Sequence, residues 1–563
     1  MDQNEELKMD NFWIYLEEGE YRKCHKLLDN SDLPTDEIST MRVAIYFREL
    51  KYEEAYNFSI NPDNKCSNYV KGFAAYKHPR NMEKKEYEIF INEAVKNLET
   101  AINNNEVHFY NRLVAQTMLI DSYFILHKYE KSFSIARNIV EEYSGTENLS
   151  PLFDGKYQIF LIDAFNPKNS SDEKQEKLIN FFNKSKLQRY KTFEDIIKYS
   201  SFLKYKPDDL IDAFISSDFS YEDGYLEYRL LEETRNEIEE KQIKEIWYWQ
   251  FLILSQLLIT EDSKIQEISH YTSQSTFDLL LQKDKKIAEF SLANANDKIE
   301  GNVLPQLLLD FKCIDSTVNT KVKNPYIAAQ TSYSRNKNSL TMFRLYGKKE
   351  DKEGTGVSLV FDKNFFQTNA VKIYENKEIN EVPKESQIDP RRPLFWILYY
   401  NSDKQLLYFY PSEDELKPYE IDLTIKSRLN WNTYNSYKTK TELKQRNLLY
   451  SFKHLFDAVR KCENKELAIK VLYKLRYFIK SSDFAEEKEL RMLDLCNPGS
   501  LSLVPNTYKL YFEYLNIFKY DSLKSIIIGP KVENKNGYKD FIMQQLNEKN
   551  FYIEVIPSNA PLA

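Results

Sequence analysis

The chain has 563 residues, 42% hydrophobic and 29% charged, a balance that suits a folded soluble protein of about two to four domains and excludes a disordered one. A formal net charge of −8 argues against wholesale wrapping of nucleic acid. With only 12 Gly and no GxGxxG or GxxxxGK[ST] pattern, the chain has neither a dinucleotide fingerprint nor a Walker loop.

Cys24, Cys66, Cys313, Cys462 and Cys496 are scattered, without disulfide or zinc-pair spacing, so a reducing cytoplasm is expected. The acidic opening MDQNEELKMDNF lacks an apolar signal core. The longest apolar run, Trp247 to Ile259, holds two Gln and a Ser. It falls short of the roughly 20 residues a membrane span needs, and reads as a buried helix with no membrane partner.

Residues 1–260 carry helical periodicity almost throughout and are expected to form an α-helical scaffold. Three places share a pattern: Tyr15-Leu16-x-x-Gly19-Glu20-Tyr21, Tyr46-Phe47-x-x-Leu50-Lys51-Tyr52 and Tyr123-Phe124-x-x-His127-Lys128-Tyr129. In each, one helix ends, a short polar turn follows and a Tyr opens the next helix. The first two lie 31 residues apart, near a helix-turn-helix repeat period, and resemble degenerate tetratricopeptide-type repeats. Such arrays leave a concave surface free for a protein target or trigger. An irregular bundle is the other reading of the same pattern. The dense helix over Tyr221–Gln256 is expected to seal this half.

From residue 265 to 563 the texture becomes mixed α and β. Short β-branched and aromatic runs occur at Ile287–Phe290, Val357–Phe361, Leu394–Tyr400, Gln405–Tyr410, Ser525–Ile528 and Phe551–Ile556, with a long helical stretch between 440 and 480. Leu394–Tyr400 and Gln405–Tyr410 spell a hairpin, although the first run also suits a helix start.

Four stretches suit chemistry. Ile268-Ser-His270-Tyr271-Thr272 reads as a strand running through a polar turn into a helix capped by Ser275-x-x-Asp278, which sets His270 and Thr272 beside exposed backbone N–H groups. A lone strand His is equally a packed core residue. Ser332-Tyr333-Ser334 reads as a strand followed by the turn Gly354-x-Gly356. Phe484-Ala-Glu-Glu487-Lys-Glu489-Leu-Arg491 puts two carboxylates on one face if it is a strand and on a solvated surface if it is a helix. Ser525–Pro530 is a buried strand ending in a sharp turn.

In their order, these pieces together with Asn296-Asp297-x-x-Glu300 resemble a large bacterial family of domains of unknown function, over about residues 265–560. Lys298 departs from the Asn-Asp-Pro seen in many relatives. That motif order in turn resembles the ADP-ribosyltransferase fold, and the resemblance implies NAD as substrate, with no metal. It implies Glu489 as the catalytic carboxylate, stabilising an oxocarbenium-like centre, and Glu487 as its companion aligning an acceptor. It further implies His270 gripping ribose, Tyr271 and Thr272 supporting that strand, Tyr333 stacking on nicotinamide, and Ser332 and Ser334 bracing the site. Asn296, Asp297, Glu300 and Arg491 complete the cofactor-binding set. An NAD-consuming toxin or antiphage-defence effector suits this pairing of domains, and a non-catalytic nucleotide-sensing scaffold is the rival.

Between Lys426 and Lys480, fourteen Lys or Arg interleave with Trp431, Tyr434, Tyr437, Tyr450 and Tyr473. This is either a face for single-stranded nucleic acid or an ordinary solvated helical surface.

Overall fold

A computed structural model describes residues 11–16, 18–78, 84–107, 109–143, 155–184, 190–203, 207–217, 230–260, 263, 265, 267–282, 285–292, 301–320, 327–348, 352–368, 391–410, 419–424, 440–496, 499, 501–504 and 509–560. The helices up to residue 217 form one compact unit, and the elements from residue 230 onward form a second.

The first unit contains α1 (11–16), α2 (Tyr21–Asp29), α3 (Thr35–Arg48), α4 (Tyr52–Ile60), α5 (Asn68–Lys77), α6 (Lys84–Asn103), α7 (Phe109–Ile125), α8 (Tyr129–Glu142), α9 (Lys156–Ala164), α10 (Ser171–Lys184), α11 (Tyr190–Phe202) and α12 (Pro207–Ile215). From α2 to α10 each helix packs on the next. Helices α3, α5, α7 and α9 also touch at every second step, the packing of stacked helix pairs.

The three sequence motifs are one backbone device. Gly19, Leu50 and His127 occupy the left-handed region at φ 72°, 58° and 57°. The next residue's N–H reaches back to the first aromatic carbonyl, Glu20 to Tyr15, Lys51 to Tyr46 and Lys128 to Tyr123, each at 2.8 Å. Gly19, Leu50 and His127 themselves donate to the carbonyls of Leu16, Phe47 and Phe124. This is a Schellman termination, which satisfies the last carbonyls of one helix and turns the chain into the next. Asn105, at φ 52°, repeats it with Glu106 N–H on Ala101 O at 2.9 Å, but without the aromatic pair that marks the others.

In the second unit, α13 (Glu237–Leu257) opens on Asn236, whose side chain accepts the Glu239 N–H. This helix holds the apolar run, and it packs on α17 (Lys440–Lys461) and α18 (Lys465–Val471). The two glutamines of the run bond these neighbours: Gln250 bonds Val471 O and Leu475 N, and Gln256 bonds Ser451. The run from Trp247 to Leu257 is buried on every side, so the unit boundary lies near residue 224, not at 260. No described helix is long and apolar enough to cross a membrane.

The remaining helices are α14 (Gln274–Leu280), α15 (Val303–Asp310), α16 (Leu340–Tyr346) and α19 (Lys535–Glu548). The strands are β1 (Ile268–Thr272), β2 (Ala288–Ser291), β3 (Ile327–Ser334), β4 (Val357–Phe361), β5 (Phe395–Trp396), β6 (Leu398–Asn401), β7 (Leu406–Phe409), β8 (Tyr419–Asp422), β9 (Ile479–Ser481), β10 (Glu489–Cys496), β11 (Ser502–Leu503), β12 (Leu510–Glu513), β13 (Leu523–Ile528) and β14 (Glu554–Pro557).

Among the described residues the larger sheet runs β11-β12-β2-β3-β1-β4-β13-β14, with β10 along the other edge of β3 and β5 outside it. The smaller runs β8-β7-β6-β9, and its β6–β7 pair is the hairpin read from the sequence. Ser273, two residues ahead of the expected cap, opens α14 by accepting the Thr276 N–H.

Candidate active site

Strand pairing brings three of the sequence stretches side by side. β3 pairs with β10 over its whole length, Glu489 opposite Ser334 and Arg491 opposite Ser332. β1 meets β3 only at Ser269–Ser334 and pairs with β4 along its whole length on its other edge. Residues opposite one another in a ladder share a face, and neighbours along a strand alternate. Ser332, Ser334, Glu489, Arg491 and Tyr271 therefore lie on one face, and His270 and Tyr333 on the other.

On the first face the carboxylates are gathered by a lysine from the smaller sheet. Lys480 Nζ lies 2.7 Å from Glu487 Oε2 and 2.9 Å from Glu489 Oε2. Arg491 binds Glu489 Oε1 through Nη2 at 2.7 Å and Nε at 3.0 Å, and its Nη1 donates to Tyr477 O. The Glu489 N–H donates to Tyr399 Oη at 2.7 Å, and Tyr399 pairs with Lys480 across β6 and β9. Ser334 donates to the Glu487 carbonyl at 2.6 Å, and the Tyr346 hydroxyl reaches Glu487 Oε1 at 3.4 Å. Lys480, Glu487, Glu489, Arg491, Tyr399 and Ser334 are all buried, and Tyr346 is half-buried.

Glu487 does not share a strand with Glu489. It ends the 3-10 turn Ser482–Glu487, and Lys488, at φ 42°, reverses the chain into β10. One ammonium joins the two carboxylates instead of a shared strand face.

Burial alone would raise the Glu489 carboxyl. Arg491, Lys480 and the Ser332 hydroxyl outweigh it and hold the group well below the usual carboxylate range. Glu487 goes the other way, raised by burial and by neighbouring Glu489 against the pull of Lys480. Lys480 is raised, because the two glutamates overcome the burial that would neutralise it.

The opposite face is aromatic around His270. His270, half-buried, lies with its ring centroid 5.4 Å from that of Tyr333. Its Nδ1–H donates to Ser332 O at 3.1 Å where β1 and β3 diverge, which fixes the neutral tautomer with its lone pair on Nε2. Burial lowers the imidazole's affinity for a second proton. Tyr333 stands edge-on to Phe366, and its buried hydroxyl has no hydrogen-bond partner among the described residues.

The other predicted residues divide. Tyr271 belongs to the core with Met342, Phe343, Val360 and Ile527, and its hydroxyl accepts the Ser339 N–H at the start of α16. Thr272 ends β1, where a Cβ added to Gly356 would lie 2.3 Å from its carbonyl oxygen. Gly347, Gly354 and Gly529 crowd the same spot, so Gly354-x-Gly356 serves close backbone packing. Asn296, Asp297 and Glu300 lie outside the described residues.

Of the basic stretch, Lys426, Arg428, Lys438 and the aromatics Trp431, Tyr434 and Tyr437 also lie outside the described residues. Tyr450 and Tyr473 are buried. Lys465 caps carbonyls of Val459, Arg460 and Cys462, Lys470 pairs with Glu233, and Arg476 binds Gly301 O. These three groups have partners within the fold.

Sequence reasoning assigns no role at this site to Lys480, Tyr399 or Tyr346, although Lys480 and Tyr399 lie in stretches read above. The signal for Lys480 was its setting: a lysine inside Phe478-Ile479-Lys480 on an apolar strand needs a buried counter-charge. Among the described residues no group of three or more His, Cys, Asp or Glu is arranged to hold a metal ion. No family model, curated protein or solved structure matches the chain.

Proposed function

We propose that the second unit is an ADP-ribosyltransferase-type domain that breaks the bond between nicotinamide and ribose in NAD, with Glu489 as its catalytic carboxylate. One observation carries this reading: Glu489 stands at the head of β10 beside Ser332, kept ionised in a desolvated setting by Lys480 and Arg491. A fixed anion shielded from water stabilises an oxocarbenium-like centre far better than a solvated one.

In the reaction the ribosyl C–N bond breaks and its electron pair stays on the nicotinamide nitrogen. An acceptor, water or a nucleophile on a target, attacks the ribosyl carbon and gives up its proton. Glu487, held closer to neutrality than Glu489, is the group suited to take that proton. His270 and Tyr333 lie on the other face, so the ribose grip and ring stacking first expected of them fall to other groups. The helical unit then recognises a target or trigger, as a toxin or defence effector requires.

The test is incubation with NAD labelled in the nicotinamide and adenylate portions, comparing wild type with Glu489→Gln. Nicotinamide release or label transfer by wild type and its loss in the variant support the reading. No release by wild type with candidate targets present overturns it.

A second reading, a non-catalytic nucleotide-sensing scaffold, is favoured by one fact: both Glu489 oxygens are already engaged by Lys480 and Arg491. Nucleotide binding in a calorimeter without turnover would decide for it.

A further inference from the structure

Lys480 ion-pairs with both carboxylates. Arg491 ion-pairs with Glu489, with one guanidinium nitrogen anchored on Tyr477 O, and its charge also reaches Glu487. Hydroxyls also meet the cluster: Tyr399 on the Glu489 N–H, Tyr346 on Glu487, Ser332 on Glu489 and Ser334 on the Glu487 carbonyl. The lysine stem passes with its ammonium 4.9 Å from the Phe484 ring centroid. Its backbone belongs to β9 of the smaller sheet, and Glu489 belongs to the larger, so the contact ties the two sheets at the carboxylates.

We propose that Lys480 is the positioning residue of this two-carboxylate site, setting the separation of Glu487 and Glu489 and deciding which of them carries a proton. Its place as a tuner of catalysis rests on the reading of Glu489 above; its place as the clasp rests on geometry alone. Without the ammonium, two buried carboxylates share one guanidinium, and like charges at close range cannot both stay ionised. The pair then holds one proton between them, and Glu489 loses its standing as a fixed anion.

The experiment compares wild type, Lys480→Met, Lys480→Arg, Glu487→Gln and the double variant Lys480→Met/Glu487→Gln by thermal unfolding from pH 5 to pH 9. Lys480→Met is expected to melt lower than wild type by about 5 °C or more at pH 8, with a gap that narrows toward pH 5 as Glu487 protonates. The double variant is expected to recover most of that loss, because only one charged carboxylate remains. If Lys480→Met is insoluble, a soluble double variant makes the same point.

A gap constant with pH, no recovery in the double variant, or insolubility of both overturns the clasp. The second arm reads NAD turnover: Lys480→Met should move the acid limb of the kcat/KM profile to higher pH, and Lys480→Arg should hold it near wild type. An unmoved limb overturns the tuning role. Absence of turnover in wild type defeats the NAD reading, and the unfolding arm still decides the clasp.

Discussion

His270 and Glu489 lie on opposite faces of one sheet, although β3 pairs with the strands of both. Their separation follows from strand alternation. Ser269 pairs with Ser334, and Ser334 with Glu489, so the residue after Ser269 must face away from the carboxylate. If Glu489 carries the reaction, Glu489→Gln should lower NAD turnover by about 100-fold or more, the cost of removing a major transition-state charge. His270→Ala should change it by only a few-fold. Equal, large losses in the two variants, measured as labelled nicotinamide released per minute, would show that both act in one cleft.

The sequence carried the strand content of this site well and its facing poorly. The Ile268–Thr272 and Ser332–Ser334 stretches are strands as read, and Glu489–Arg491 is a strand where the sequence left a strand and a solvated helix both open. Which faces coincide depends on register, and one position of slip exchanges every side chain. Nothing local to the Glu-Glu-Lys-Glu run shows that Lys488 adopts φ 42° and removes Glu487 from the strand. Lys480 was hidden by company: one lysine in a basic stretch looks like its neighbours until a partner sheet buries it. The helical turns were legible because their aromatic pairs recur, yet the same turn at Asn105 passed unnoticed for want of that mark.

Those turns yield a stability prediction. A non-glycine residue in the left-handed region costs roughly 1 kcal/mol, and glycine at a Schellman terminus removes the cost. His127→Gly is expected to stabilise by about 0.5 kcal/mol, net of the lost hydrogen bond between its Nδ1 and the Tyr129 hydroxyl. Gly19→Ala, at φ 72°, should destabilise by about 1 kcal/mol. Urea unfolding of the two variants gives the signs directly, and a destabilised His127→Gly would contradict the account.

The glycine cluster at the end of β1 makes a harsher demand. A Cβ at Gly356 would sit 2.3 Å from Thr272 O and 2.4 Å from Gly347 Cα, both backbone atoms that cannot swing aside. Gly356→Ala should cost about 3 kcal/mol or more and sharply reduce soluble yield. Gly499→Ala is the control, since its added Cβ meets nothing within 4 Å. Comparable melting of both variants would mean that this region yields more readily than its packing implies.

Glu289 supplies a pH dependence separate from the carboxylate clasp. Its side chain is fully buried on the His270 face, paired with Arg392 at 3.0 Å, while its second oxygen has no partner among the described residues. Arg392 is shared with Asp494. Burial therefore outweighs the ion pair and raises the carboxyl from 4.5 to about 7. A raised folded-state value means that the folded chain holds this proton more tightly than the unfolded chain. No penalty exists below the unfolded value; it builds as pH climbs from about 4.5 and is complete above about 7. The shift corresponds to about 3 kcal/mol of stability withdrawn at alkaline pH. Glu289→Gln removes the titration and keeps the shape, so its stability relative to wild type should rise steadily between pH 5 and pH 8. Chemical denaturation at several pH values measures it. A wild-type-minus-variant difference independent of pH would mean that Glu289 stays ionised in the fold, with Arg392 fully compensating its burial.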